Sequence, residues 1–202
     1  MVITFQDNIK LRGDNKNSFF REDGRFKNEI RRFIIKSEFP YTSLRQGNSH
    51  VQVKIDGPKE GSKLYFYITG TTNDTKRYYE LFSIFDNILL LDSQLDIYVN
   101  ILEEDGSLLS TIVNCIVLSI CHSNIPLKDF PCSITYSEKG VDLSASEEGS
   151  GRVTVVYLMN SKKLVYYKAE GKITLEKLQN IDEMGRIAIE EIFIKMKEFL
   201  IK

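Results

Sequence analysis

Apolar and polar residues alternate with a period of two along several short stretches of the chain, and with a helical period along three longer ones. Residues 32–39, Arg32 to Phe39, read as a strand that Pro40 ends. Val51-Gln52-Val53-Lys54-Ile55 alternates strictly and should present one face to a core, with Gly57-Pro58 expected to stop it. Leu64-Tyr65-Phe66-Tyr67-Ile68 is a further short strand, rich in aromatic and β-branched side chains. From residue 76 to 91 the period changes: Tyr78, Leu81, Phe82, Phe85, Ile88 and Leu89 form one stripe of a helix, for which Asn73 or Asp74 is the expected N-cap. Alternation returns over residues 95–102 and ends at the turn Glu104-Asp105-Gly106.

Residues 107–122 are apolar on every side with few charges, which predicts a helix buried between layers, terminated by Ser123-Asn124-Ile125-Pro126. Strands are predicted at 132–136, 153–158 and 164–168, with an acidic loop over 142–149 between the first two. Leu178, Ile181, Met184, Ile187, Ile192, Met196 and Leu200 mark a long amphipathic helix over 174–202. Thr174 opens it; Lys177 stands where a capping box has Glu or Gln, while Glu176 favours a helix N-terminus. The first twenty residues are polar, with Gly13 to Ser18 reading as a loop, so an N-terminal extension (1–20) should precede a single domain over 21–202. The order strands, helix, strand, helix, strands, helix predicts an α/β (α+β) sandwich with helices laid over mixed sheets.

Composition narrows the classes. With 202 residues, 42% of them hydrophobic, the chain can bury a core and is not disordered. A formal net charge of -1 excludes a strongly basic nucleic-acid coat protein and still permits a local basic patch. Cys115, Cys121 and Cys132 lack CxxC spacing and sit in apolar runs, as reduced core thiols of a cytosolic or nuclear protein do. With two histidines, His50 and His122, no zinc-ligand pattern emerges, and no metal or other cofactor is expected. Neither histidine lies in a nucleophile elbow, which argues against a serine or cysteine hydrolase; both read as structural or surface residues. The start Met1-Val2-Ile3-Thr4-Phe5 gives way at once to Gln6-Asp7-Asn8, so no signal peptide is expected, and Asn114 and Ser119 break the longest apolar run, so no membrane span is expected.

Five segments in order carry a resemblance. They are Arg21-Glu22-Asp23-Gly24-Arg25 with Asn28-Glu29-Ile30-Arg31-Arg32 behind it; Gln46-Gly47-Asn48 leading to Gly57-Pro58-Lys59-Glu60; Asp96 to Val99 followed by Leu102 to Gly106 and Asn114; Ile125-Pro126-Leu127-Lys128-Asp129-Phe130; and Asp142-Leu143 with Glu147-Glu148. Any one alone means little, but in this order, from about residue 11 to the C-terminus, they resemble the RNase PH family, and within it the ring subunits of the RNA exosome. The resemblance implies the RNase PH-like fold (ribosomal protein S5 domain 2-like). It also implies a hexameric ring of such subunits, S1/KH cap subunits, a separate hydrolytic exoribonuclease and single-stranded RNA as partners, no membrane, and residence in the nucleus, nucleolus and cytoplasm.

Phosphorolysis needs preorganised donors for inorganic phosphate: backbone N–H groups at a helix start and an arginine. In active members of the family the turn resembles DGGTR; here Asp105-Gly106-Ser107-Leu108-Leu109 puts leucines at the threonine and arginine positions, and leucine cannot donate to phosphate. The acidic loop keeps Asp142 but ends on Glu148 where active members have aspartate, displacing the carboxylate by about an ångström. Asp142, Glu148, Ser107 and Leu109 are therefore expected as vestiges of a catalytic site, in a loop read as solvated, and no phosphorolysis is expected. An active phosphate-dependent 3′-5′ exoribonuclease and a sister ring subunit of the same complex are the alternatives.

A bare Lys76-Arg77 pair is an ordinary solvated helix start. The resemblance places it where related subunits present two adjacent arginines to RNA entering the channel, and charge and helix dipole would both favour phosphate there. Lys59 and Lys63 would extend the patch, whereas Arg25 and Arg31 are expected to hold structural or interface contacts.

Overall fold

Alternation in the first half of the chain builds one twisted sheet, and the all-apolar helix that follows is the layer on which a second sheet rests. The structure, a computed structural model, describes residues 2–5, 20–70, 74–86, 88–90, 93–173 and 175–201. The expected loop at 13–18 and the expected caps Asn73 and Thr174 lie outside these residues. The elements are β1 (Val2–Phe5), β2 (Phe33–Glu38), β3 (Tyr41–Gln46), β4 (Ser49–Lys59), β5 (Leu64–Thr69), α1 (Asp74–Phe85), β6 (Gln94–Glu103), α2 (Leu108–His122), β7 (Pro131–Ser137), β8 (Gly140–Val141), a 3-10 turn at Ala145–Ser150, β9 (Arg152–Leu158), β10 (Lys163–Glu170) and α3 (Leu175–Ile201).

The first sheet has six strands in the order β1-β2-β3-β4-β6-β5, antiparallel except for the β5–β6 pair, whose parallel crossover is α1. The second has four antiparallel strands in the order β10-β9-β7-β8. Helix α2 is buried from Leu108 to Ile120 between β3 and β4 on one side and β7 on the other. It can be apolar all round because no face of it meets water. Helix α1 covers β5, and α3 covers β7 and β8.

Five expectations change in detail. β3 was not visible as an alternating stretch because Thr42 and Gln46, both buried, stand with Leu44 on its inner face. β4 runs through Gly57-Pro58 to Lys59, with a register irregularity opposite Gln94–Asp96 that accommodates the missing proline N–H. α1 stops at Phe85: Ile88 remains buried in the turn that follows, its N–H on the Phe85 carbonyl, with Leu89 bridged to Leu127 and Lys128 N–H donating to the Ile88 carbonyl. In α3 the core stripe runs through Ile181, Ala188, Ile189, Ile192, Met196 and Phe199, so Ile187 turns outward. Val2–Phe5, inside the stretch expected as an extension, pairs antiparallel with β2.

The thiols are unpaired; Cys115 and Cys132 are buried and Cys121 half-buried. Burial pushes all three up, Cys121 to about 11, which leaves them inert as nucleophiles. His50 accepts or donates a 2.7 Å hydrogen bond with Ser43 on the neighbouring strand, and burial lowers its pKa, as suits a structural neutral imidazole.

Candidate functional site

Four of the five resembling segments send residues to the mouth of α2, from 21–31, 46–48, 105–106 and 142–148, whereas Ile125 to Phe130 follows its other end. The Asp-Gly-Arg turn closes through Gly24 N–H to the Arg21 carbonyl, 2.9 Å. From this turn Arg21 reaches the acidic loop, donating from Nε to Glu147 Oε1 at 2.7 Å, from Nη2 to Glu147 Oε2, and from Nη1 to the Val141 carbonyl at 2.5 Å. Arg25 donates to the carbonyls of Glu29 and Asp142 at 3.0 and 3.2 Å. Arg31 grips Asp142 three ways: backbone N–H at 2.7 Å, Nε at 3.0 Å and Nη2 at 2.8 Å. Its guanidinium also donates to the carbonyls of Asp105 and Gly106. Arg25 and Arg31 thus hold the structural contacts expected of them.

Two carboxylates of the acidic loop are withdrawn from solvent, although Ala145, Ser146 and Gly149 are exposed. Asp142 is 0% exposed and Glu147 is buried, each neutralised by an arginine from the N-terminal segments. Burial alone would raise the Asp142 carboxyl, but Arg31 and then Arg25 more than reverse this and hold it below the usual carboxylate range. For Glu147 the same balance, with Arg21 and the Ser144 N–H as the lowering partners, brings the pKa from 4.5 to about 2. Both groups are charged in the fold and titrate lower there than in the unfolded chain. Their contribution to stability is therefore complete above about pH 4.5 and is lost as pH falls toward about 2. The melting temperature should drop over that window, and Glu147→Gln should flatten the drop; equal slopes for wild type and variant would contradict this assignment.

The turn into α2 decides what the site can bind. Gly106 has φ +73° and is crossed so closely that a Cβ would stand 2.5 Å from the Leu143 carbonyl oxygen, so this position accepts only glycine. Ser107 follows in the left-handed region at φ 51°, its hydroxyl donating to the Leu143 carbonyl at 3.0 Å. Its N–H, the first amide offered at the helix mouth, donates to Glu148 Oε1 at 2.7 Å, and Glu148 Oε2 pairs with Arg152. Leu108 and Leu109 are buried in the core. The four expected vestiges are therefore together, with a carboxylate of the chain itself seated on the helix start. Beside them lies an open cleft of about 470 Å³ lined by Arg25, Arg31, Arg32, Asn48 and Asp105 among others.

The basic candidates fall into two groups. Lys59 and Lys63 flank the turn before β5; Lys59 pairs with Asp56 at 2.8 Å and Asp96 at 2.6 Å, and Lys63 is exposed. Lys76 and Arg77 lie beyond the other end of β5, in the first turn of α1, and engage different partners: Lys76 Nζ is 3.3 Å from Glu170, and Arg77 is 3.2 Å from Glu80. Glu80, Lys168 and Glu170 are functional-site neighbours that sequence spacing did not single out. Their only local signal is that Lys168 and Glu170, two residues apart in β10, share a face. Among the described residues no cluster of His, Cys, Asp and Glu could hold a metal ion, and no helix is long and apolar enough to cross a membrane.

Comparison with known proteins bears on what this constellation belongs to. No protein-family model matches the chain. The exosome complex component ski6 of Schizosaccharomyces pombe is 27% identical to it, over 88% of this chain and 89% of that protein. SKI6 of Saccharomyces cerevisiae is 25% identical over 90% of each, and human RRP41 24% identical over 86% of this chain and 87% of that protein. The chain is a homologue of these exosome components. The crystal structure of rice Rrp46 superposes with a TM-score of 0.80 at 22% identity, covering 90% of this chain and 100% of that one. The fold of this Ski6 and RRP41 homologue is accordingly that of the RNase PH-like exosome subunits.

Proposed function

We propose that the chain is a ring subunit of an RNA exosome which guides single-stranded RNA to a separate hydrolytic 3′-5′ exoribonuclease and does not cleave RNA itself. Homology along nearly the whole chain supports the ring role. The single observation that carries the absence of catalysis is the Glu148 carboxylate on the Ser107 N–H. Inorganic phosphate needs that amide and an arginine beside it. Here the amide already serves an anion, the arginine position is a buried leucine, and Asp142 is fully buried with three hydrogen bonds from Arg31, out of reach of a substrate proton.

The other RNase PH-like subunits and the S1/KH cap subunits are the proposed partners, with nucleus, nucleolus and cytoplasm as the proposed compartments. The unpaired outer edges of β5 and β10 are the kind of strand edge that neighbouring subunits cover. RNA contact is assigned to Lys76 and Arg77, with Lys63 and Lys59 as a secondary group.

The test is RNA 3′-end shortening with and without millimolar phosphate, using the full chain alone and assembled with ring partners. No nucleoside diphosphate should be released in either setting. Lys76→Ala/Arg77→Ala should weaken RNA crosslinking in the assembled ring and lower the salt slope of binding by about 0.7 per lost phosphate contact. Phosphate-dependent release of nucleoside diphosphates that disappears on Glu148→Gln would make the chain an active phosphorolytic exoribonuclease instead.

A further inference from the structure

One unbroken run of ion pairs joins the start of α1 to the mouth of α2. Arg77 pairs with Glu80 at 3.2 Å, Glu80 with Lys168 at 2.7 Å, and Lys168 with Glu170 at 2.9 Å. Glu170 also holds Lys76 at 3.3 Å and Arg152 at 3.0 Å, and Arg152 passes the chain to Glu148, which accepts the Ser107 N–H. Four cations (Lys76, Arg77, Arg152, Lys168) share three carboxylates (Glu80, Glu148, Glu170), so the seam is one anion short.

Glu170 is the hub. Its Oε1 faces two ammonium groups and its Oε2 takes two nitrogens of Arg152, a set of donors that would suit the two non-bridging oxygens of a phosphodiester equally well. Three cations on one carboxylate is more than its charge requires, and Lys76, more than half exposed, is the member open to solvent. Burial would raise the Glu170 carboxyl, but Lys168 and Arg152 bring it from 4.5 to about 2, so it stays an anion at any physiological pH.

The geometry points to Glu170 as a built-in competitor for RNA: its carboxylate occupies Lys76, Arg152 and Lys168, a phosphodiester must displace it to bind there, and Arg152 and Lys168 become RNA contacts when it does. This rests on the RNA-guiding reading above and deepens it, extending the contact from two residues to four. The seam favours RNA over an acidic protein because it is continuous with Lys76-Arg77, to which RNA contact is assigned above.

The experiment measures the affinity of a fluorescent oligouridylate for the full chain in its assembled ring, over a series of salt concentrations. Glu170→Gln keeps the shape and removes the competing charge. It should tighten binding by about 3–10-fold at low salt and steepen the salt slope by about 0.7–1.4, one or two further phosphates. Adding Arg152→Gln to Glu170→Gln should remove most of the gain. If Glu170→Gln lowers the melting temperature, Glu170→Asp, which keeps the charge but shortens the reach, should still tighten binding.

Wild-type affinity and slope in these Glu170 variants, with Lys76→Ala/Arg77→Ala still weakening RNA, would overturn the competitor role and leave the RNA reading standing. No effect from either set would remove both. An oligoglutamate of equal charge that displaces the oligouridylate as well as unlabelled RNA does would assign the seam to an acidic protein and also overturn the proposal.

Discussion

Asp142→Ala is expected to destabilise the chain by about 3–5 kcal/mol, the usual cost of removing one partner from a buried ion pair. The carboxylate is 0% exposed, accepts three hydrogen bonds from Arg31, and is the reason that guanidinium can lie in the interior at all. Without it the Arg31 charge is left with the carbonyls of Asp105 and Gly106 and a 3.6 Å approach to the Asp105 carboxylate. A second cost adds to this one: Asp142 has φ 52°, a conformation that aspartate and asparagine tolerate and alanine does not. Asp142→Asn should therefore lose roughly half as much, since it keeps the backbone preference and two of the acceptor contacts. Chemical denaturation of both variants, with an unchanged m-value, is the check. A shift under about 1 kcal/mol for Asp142→Ala would mean that Arg31 finds another partner and that the clamp is not structural.

The same residue shows why chemistry at this site is hard to read from sequence. A conspicuous acid in a loop resembling a catalytic one invites an alanine test of activity. Here that substitution would remove the staple between the N-terminal segment and the α2 mouth, and any loss of RNA-related function would follow from unfolding. Glu148 is the informative position. Its side chain is 22% exposed, its partners are one amide and one arginine, and Glu148→Gln keeps its volume.

Much of the fold was legible because it depends on patterns local to each element. The alternation of Val51 to Ile55 gave a strand with Val51 and Val53 inward, and residues 108–120, apolar on every side and without a charge, gave a helix with no solvent face. What escaped were cases where a buried position carries a polar side chain. Thr42 and Gln46 hid β3, and the helix stripe overran Phe85 because Ile88 is buried and Leu89 partly buried in a turn and bridge that exchange hydrogen bonds with residues 126–128.

The site divided along the same line. Asp105 to Leu109 and Asp142 to Glu148 were found from their resemblance to known motifs. Arg152, which pairs with Glu148, and Lys168, Glu170 and Glu80 beyond it were not, because an ion pair spanning 88 residues, as between Glu80 and Lys168, leaves no periodic trace. Asp129 illustrates the converse. It stands out in a recognisable segment, yet its carboxylate serves the fold, accepting the N–H groups of Phe130, Asn160 and Ser161 and so tying the segment to the β9–β10 turn.

Asn114 makes the strongest case that a motif residue can be there for the fold. It sits in the middle of α2, 0% exposed, where asparagine is a poor helix former and a costly group to bury. Its side chain reads the backbone of β7 as a neighbouring strand would: Nδ2 donates to the Ser133 carbonyl at 2.9 Å and Oδ1 accepts the Ser133 N–H at 2.8 Å. On one side β7 is paired along its length by β9, but on the other β8 covers only Tyr136 and Ser137, so Ser133 would present two buried, unmet backbone groups. Asn114→Ala orphans both at once and should cost about 2–6 kcal/mol, at roughly 1–3 kcal/mol for each unsatisfied group. Ser133→Ala, which loses only the 2.8 Å bond from its hydroxyl to Val155, should cost about 1 kcal/mol. Amide hydrogen exchange separates this from a simple packing defect: the Ser133 amide should lose protection in Asn114→Ala far beyond its β7 neighbours, whereas a cavity would loosen the strand evenly. Because α2 also carries the Ser107 amide at its mouth, the Asn114 bracket is what holds that amide in register with the second sheet. Loss of the bracket should therefore loosen the seam from Glu148 to Lys76 along with the core.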